Sequence, residues 1–260
     1  MEATGNDNPI EVRGLTMAYG SRVVMRNLDF SVRRGSVFVV MGPSGCGKST
    51  LMRHLIGLQE PAGGQVRLLG EDLWAMDRGQ REKLMRRIGI LYQRCGLWSS
   101  MTLAENIALP LREYTTLGER EISQLCDFKL SLVGLGGYGS FYPAEISGGM
   151  QKRAGLARAI ALDPELLFFD EPSAGLDPIS AHNLDELMLQ LQQSLGTTLV
   201  VVTHDLDSIF AIGSDAIYLD PASKGILSHD SPQAMLSSGQ PELVDFLTRG
   251  TGIPRSQSTS

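Results

Sequence analysis

Gly42 to Thr50 reads Gly-Pro-Ser-Gly-Cys-Gly-Lys-Ser-Thr and fits G-x-x-x-x-G-K-[ST], with Gly42, Gly47, Lys48 and Ser49 on the fixed positions. The chemistry of that pattern is phosphate binding. Glycines let the backbone curl until its N–H groups converge on an anion, and a helix starting there adds its positive end. Lys48 then reaches the terminal phosphates, and the Ser49 hydroxyl ligates Mg²⁺. Ser147-Gly148-Gly149, at the start of a second helix, is an anion site by the same physics, weak when taken alone. Asp170 and Glu171 end an apolar strand, where open α/β sheets bind ligands. Asp170 is placed to hold Mg²⁺, while Glu171 faces elsewhere and is the better general base, a role worth about 10² to 10⁴ in rate. Gln93 and His204 also end strands, and both can point at a terminal phosphate or at the attacking water; a lone histidine in such a place is more often structural. His54, His182 and His229 have no such context.

These groups need strand ends and helix starts to hold them, and the chain supplies both. Ser36 to Met41 is an apolar, β-branched run leading into the phosphate loop, and Leu51, Leu55 and Leu58 recur at helical spacing after it. Ile10 to Met17 and Val23 to Val32 alternate around Gly20-Ser21 as an antiparallel hairpin, with Tyr19 at the turn. An aromatic there can stack on a base or fill the turn. Asp72 to Arg87 has loose helical spacing, and Ile88 to Tyr92 returns to strand before Gln93. Residues 94–146 change character: helical stretches at Thr102 to Leu111 and Glu119 to Val133 are broken by Pro110, glycines and Pro143, as a helical insertion in an α/β core. Met150 to Leu162 is a helix and Leu166 to Phe169 a strand. Ile179 to Leu195 is a helix, and Thr197 to Thr203 a strand ending at His204, after which Asp205 caps the next helix. Ala216 to Leu219 with Gly225 to His229 make a closing hairpin. One domain over residues 1–249, with a helical subdomain at 94–162 and a polar tail at 250–260, is the expected organisation.

Composition narrows the function classes. Hydrophobic residues at 42% and charged residues at 20% are ordinary globular usage, which excludes disordered and fibrous chains. A net charge of -6 disfavours a chain that coats nucleic acid. Cys46, Cys95 and Cys126 lack metal-ligand spacing, and their odd count fits reduced cytoplasmic thiols. Met1 to Pro9 has no basic-then-apolar leader, and no apolar run approaches the roughly 18 residues that span a bilayer.

The order Tyr19, Gly42 loop, Gln93, Ser147-Gly148-Gly149, Asp170-Glu171, Asp177, His204 resembles the ATP-binding-cassette ATPases from about Val12 to Arg249. That resemblance implies an α/β P-loop NTPase fold, an ABC-type ATPase core with an antiparallel β subdomain and a helical subdomain. It implies that Tyr19 stacks on adenine, and that Gly42, Ser44, Gly45, Cys46, Gly47, Lys48, Ser49 and Thr50 wrap the phosphates of ATP. Ser49, Gln93 and Asp170 are then the Mg²⁺ side, Glu171 the base, His204 the γ-phosphate contact, Asp177 an interface loop and Ser147 to Met150 the signature. Two copies meet head to tail, each ATP lying between the phosphate loop of one and the Ser-Gly-Gly helix of the other.

Met150 stands where the common signature has Gln. With Asn106 to Glu113, that departure resembles the Mla-type ATPases of bacterial phospholipid transport. Those imply membrane permease subunits, a lipid-binding MCE protein, a small regulatory subunit, and a place on the cytoplasmic face of the bacterial inner membrane. Two alternatives stand beside this reading. One is an ATPase importing amino acids or another small solute, and the other a soluble cassette working on DNA or ribosomes, which the acidic charge and the lack of a long insertion disfavour. A GTP switch lacks its Asn-Lys-x-Asp motif.

Overall fold

The computed structural model describes residues 8–250; the leader reading and the tail beyond Gly250 lie outside them. In chain order the elements are β1 (Ile10–Tyr19), β2 (Arg22–Val32), β3 (Val37–Met41), α1 (Lys48–Leu55), β4 (Gly63–Leu68), β5 (Glu71–Asp72), α2 (Arg78–Met85), β6 (Ile88–Leu91), α3 (Leu103–Tyr114) and α4 (Glu119–Leu132). There follow α5 (Gly148–Ala159), β7 (Leu166–Asp170), α6 (Pro178–Leu195), β8 (Thr198–Val202), α7 (Leu206–Ile212), β9 (Asp215–Asp220), β10 (Gly225–Asp230), α8 (Pro232–Ser237) and α9 (Pro241–Thr248). They fall into two compact units, residues 1–76 with 202–260, and residues 77–201.

In the first unit β2, β1, β4 and β5 form an antiparallel sheet in that order. Its register shifts after Val12, where Gly14 adopts φ +56° and donates its N–H to Asp29 Oδ1 at 2.8 Å, a bulge that turns the strand. The all-apolar β3 is buried along its whole length and pairs in parallel with β9, which β10 closes antiparallel. Leu206 and Ile209 of α7, Met235 of α8, and Leu243 and Leu247 of α9 pack with Val39, Met41 and Tyr218. Phe30 stacks on Phe38 at 5.5 Å between ring centres.

In the second unit β6 and β7 are parallel, with β8 beside β7. Helices α3, α4 and α5 pack on one another through Leu103, Ile107, Leu111, Ile122, Cys126, Leu130 and Leu156, all buried. Asn106 holds the approach to α3: fully buried, its amide donates to the carbonyls of Trp98, Met101 and Thr102, and its Oδ1 accepts from the Trp98 N–H at 2.8 Å.

Several boundaries differ from the sequence reading; the signature helix α5, for one, runs Gly148–Ala159 and not Met150 to Leu162. Helix α3 runs through Pro110 to Tyr114, because the buried stripe Leu103, Ile107, Leu111 continues on one face and outweighs one missing N–H. Helix α1 stops at Leu55 and leaves Leu58 exposed. Helix α2 is confined to Arg78–Met85, since the Asp77 carboxylate accepts from Gln80 N and starts the helix only there. The Asp205 cap is as expected, its side chain accepting from the Asp207 N–H.

Candidate functional site

The phosphate loop lies between β3 and α1, and its glycines hold conformations other residues avoid: Gly42 at φ +142°, Gly45 at +78° and Gly47 at +113°. A Cβ on Gly42 would stand 2.6 Å from the Leu219 carbonyl oxygen, so the position is closed to side chains by space as well as by dihedral. Gly47 precedes α1 without a side chain to cap it, the kind of helix start that suits an anion. Lys48 is buried and folds back, its Nζ donating to the carbonyls of Gly42 at 2.8 Å and Pro43 at 3.1 Å. That keeps an ammonium at the loop, where phosphate oxygens can replace the carbonyls. The Cys46 side chain is buried, and burial pushes its thiol up; Ser44 and Gly45 are exposed and Thr50 half-buried.

A cleft of about 920 Å³ opens beside the loop, lined by Tyr19, Arg22, Val24, Arg26, Gly47 and Lys224 among others. The Tyr19 ring is 48% exposed, and its hydroxyl lies 3.4 Å from Thr50 Oγ1 and accepts from Arg53 Nη1 at 3.3 Å. The Thr50 bond first, and Arg53 with it, lower its pKa against the opposing effect of burial. His204 is exposed at the end of β8; the Thr203 N–H donates to the Val40 carbonyl at 3.4 Å, which puts His204 alongside the strand that enters the loop. The cations Arg22, Arg26, Arg53 and Lys224 were not singled out from sequence. Alternation along β2, placing Arg22, Val24 and Arg26 on one face, is the signal that would have found two of them.

In the second unit Gln93 follows β6 with an exposed side chain, and Asp170 and Glu171 close β7, both half-buried. Glu171 has φ +49°, a left-handed conformation that the surroundings must hold in place for a non-glycine residue. Ser147 caps α5, its Oγ accepting from the Met150 N–H at 3.3 Å; its hydroxyl proton remains beside Gly148 and Gly149 at an exposed helix start. Met150 is half-buried. Gln151 braces this turn by donating to the Pro143 carbonyl at 2.9 Å. Asp177 caps α6: Oδ1 accepts from the N–H groups of Ile179 and Ser180, and Oδ2 from the Ser180 hydroxyl at 2.6 Å. Those bonds, the Ser180 hydroxyl first, hold its carboxyl below the usual range. The structure thus collects Tyr19, the loop and His204 in the first unit, and Gln93, the signature turn, Asp170, Glu171 and Asp177 in the second. Two cations of α5, the buried Lys152 and the half-buried Arg158, also touch the Gln93 segment and were missed from sequence. Burial draws the pKa of each down.

An uncapped, glycine-turned loop carrying a lysine, beside an open cleft lined by arginines and a tyrosine, defines a nucleoside triphosphate-binding α/β protein. The sequence matches the ABC transporter family over residues 25–174. This chain belongs to that family of ATP-binding cassettes, and it is an ATPase. It is 38% identical over 242 residues to the intermembrane phospholipid transport system ATP-binding protein MlaF of Haemophilus influenzae, covering 93% of this chain and 91% of that one. It is 39% identical over 240 residues to MlaF of Escherichia coli K12, covering 92% and 88%. Among solved structures it resembles the ATP-binding cassette MJ0796, a dimer in a post-hydrolysis state bound to ADP and Pi. The TM-score is 0.77 at 27% identity, covering 85% of this chain and 98% of that one. Among the described residues no helix is long and apolar enough to cross a membrane.

Proposed function

We propose that this chain is the ATPase subunit of a bacterial inner-membrane transporter that moves phospholipid between membranes. In this reading it is one cassette domain over residues 1–249, with residues 94–162 as the helical part, and it works from the cytoplasmic face against permease subunits. An MCE lipid-binding protein and a small regulatory subunit complete the assembly. The observation that carries the ATP-driven part is the pair of anion-ready helix starts on one chain, α1 behind Gly47 and α5 behind Ser147. A second copy placed head to tail supplies the Ser147 turn to the triphosphate held by the first copy's loop. The phospholipid cargo rests on the likeness to MlaF over nine-tenths of the chain.

In the reaction the Lys48 ammonium leaves the loop carbonyls for the terminal phosphate oxygens, and Tyr19 holds the base from the rim of the cleft. Water attacks the γ-phosphorus in line with the bond to the β–γ bridging oxygen. Glu171 accepts the water's proton as the new P–O bond forms, and the electron pair of the breaking bond leaves with ADP. His204 and Gln93 orient the γ-phosphate and the water. The Ser49 hydroxyl, Gln93 amide oxygen and Asp170 carboxylate are hard oxygen donors of the kind that suit Mg²⁺. When bound, Mg²⁺ neutralises charge building on the phosphate oxygens.

The test is purification of the chain from its native host in mild detergent, with mass spectrometry of co-purifying proteins and lipids. A permease, an MCE protein and phospholipid are expected. A ribosomal or DNA-repair assembly without a permease would overturn the reading.

A further inference from the structure

Lys152, Gly155 and Arg158 follow one another at intervals of three along α5, so they share one helix face, and all three meet the segment that carries Gln93. The Lys152 side chain, at 5% exposure, donates to the Gln93 carbonyl at 2.6 Å and reaches the Glu171 carbonyl at 3.5 Å. At Gly155 the packing is close: a Cβ there would stand 2.8 Å from Leu91 Cδ1, 3.2 Å from Cys95 Cβ and 3.3 Å from the Cys95 carbonyl oxygen. Arg158 donates to the carbonyls of Gly96 at 2.6 Å and Cys95 at 3.2 Å.

A buried ammonium is costly unless its protons are hydrogen-bonded, and an apolar side chain of the same length would fill the space without that cost. The charge at residue 152 therefore has work beyond packing. Its partners are the main-chain carbonyls of two residues just past the ends of β6 and β7, and one of them, Glu171, sits in a backbone conformation that needs outside support.

We propose that Lys152 is a positioning residue for ATP hydrolysis: it ties the ends of β6 and β7 together so that the Gln93 and Glu171 side chains keep a fixed mutual geometry. The proposal rests on the roles given above to Glu171 and Gln93. It has a mechanical corollary. Because Lys152 belongs to the helix that Ser147 caps, the turn offered to a second copy's ATP and the residues serving this chain's own ATP share one helix as their support.

The test is steady-state ATP hydrolysis by the full chain as parent, Lys152→Met, Lys152→Arg, Glu171→Gln and the double variant Lys152→Met with Glu171→Gln. Lys152→Met should lower kcat about 10- to 100-fold, the scale of a misplacement near 1 Å, with KM for ATP within about twofold of the parent. Lys152→Arg, which can still donate to both carbonyls, should recover kcat to within about fivefold of the parent. In the Glu171→Gln background Lys152→Met should bring a smaller further fall than in the parent, since much of its effect passes through the group already lost. Parent-like kcat in Lys152→Met, a rise in KM at unchanged kcat, an Arg variant as slow as the Met variant, or an additive double variant would each overturn the tether. Should Lys152→Met fail to fold by circular dichroism, Lys152→Gln, whose shorter amide cannot reach both carbonyls, takes its place with the same expected split and the same overturning results. A fast Glu171→Gln overturns the base assignment and the tether with it. A fast Lys152→Met beside a slow Glu171→Gln overturns the tether alone.

Discussion

The Tyr19 hydroxyl stands 3.4 Å from Thr50 Oγ1, so the aromatic ring at the end of β1 is tied to the first turn of the helix that follows the phosphate loop. One end of the nucleotide cleft is thereby set by the other. Loss of a base stack costs about 1 to 3 kcal/mol by alanine substitution. Tyr19→Ala is expected to raise KM for ATP roughly tenfold at nearly unchanged kcat, a loss of uniform binding. Tyr19→Phe keeps the ring and should stay within about twofold. Steady-state kinetics of the two variants checks this; an unchanged KM in Tyr19→Ala would leave the ring as turn filler.

Asn106 concerns stability and not chemistry. Its side chain makes four hydrogen bonds to the backbone of Trp98, Met101 and Thr102 while fully buried. Asn106→Leu removes the partner of the Trp98 N–H and of the Met101 carbonyl, while the Trp98 and Thr102 carbonyls keep the Met101 and Asn106 N–H groups; each orphaned group costs about 1 to 3 kcal/mol. A destabilisation of at least about 2 kcal/mol is expected, read as a lower denaturant midpoint. A midpoint equal to the parent's would mean that the 98–102 segment is held by other means.

The Asp177 cap carries a pH signature. Its folded pKa lies below the ordinary carboxylate value of 3.8, chiefly through the Ser180 hydroxyl, so the unfolded chain binds the proton more readily. The stability this gives is present above pH 3.8 and is lost as pH falls through the lower folded value. Asp177→Asn should therefore unfold with less dependence on pH below about 4 than the parent. Acid titrations followed by circular dichroism compare the two, and superimposable curves would count against the cap as an acid-sensitive element.

Much of the fold and half-site chemistry is legible in sequence because it is local. Gly42, Gly45 and Gly47 encode their own left-handed dihedrals, Ser147 and Asp177 encode caps, and the apolar β3 and β7 deliver their polar residues at the ends. What sequence did not disclose depends on packing between distant segments. The Lys152 bond to Gln93 spans 59 positions, and the Arg53 bond to Tyr19 spans 34. Neither leaves a periodic mark. The stretch of α3 beyond Pro110 was hidden for a related reason: proline is a local stop signal, and only the buried stripe ending at Leu111 overrides it.

The central claim is a composite ATP site that closes between two copies and is opened by Glu171-dependent hydrolysis. Light scattering of full-length Glu171→Gln with Mg²⁺ and ATP tests it most directly. Removal of the base should slow turnover about 10² to 10⁴-fold, and the 28.2 kDa chain should then be trapped at twice its mass, returning to single-chain mass when ATP is removed. A variant that hydrolyses ATP at the parent rate, or that binds ATP without hydrolysing it and stays at single-chain mass, would contradict the account.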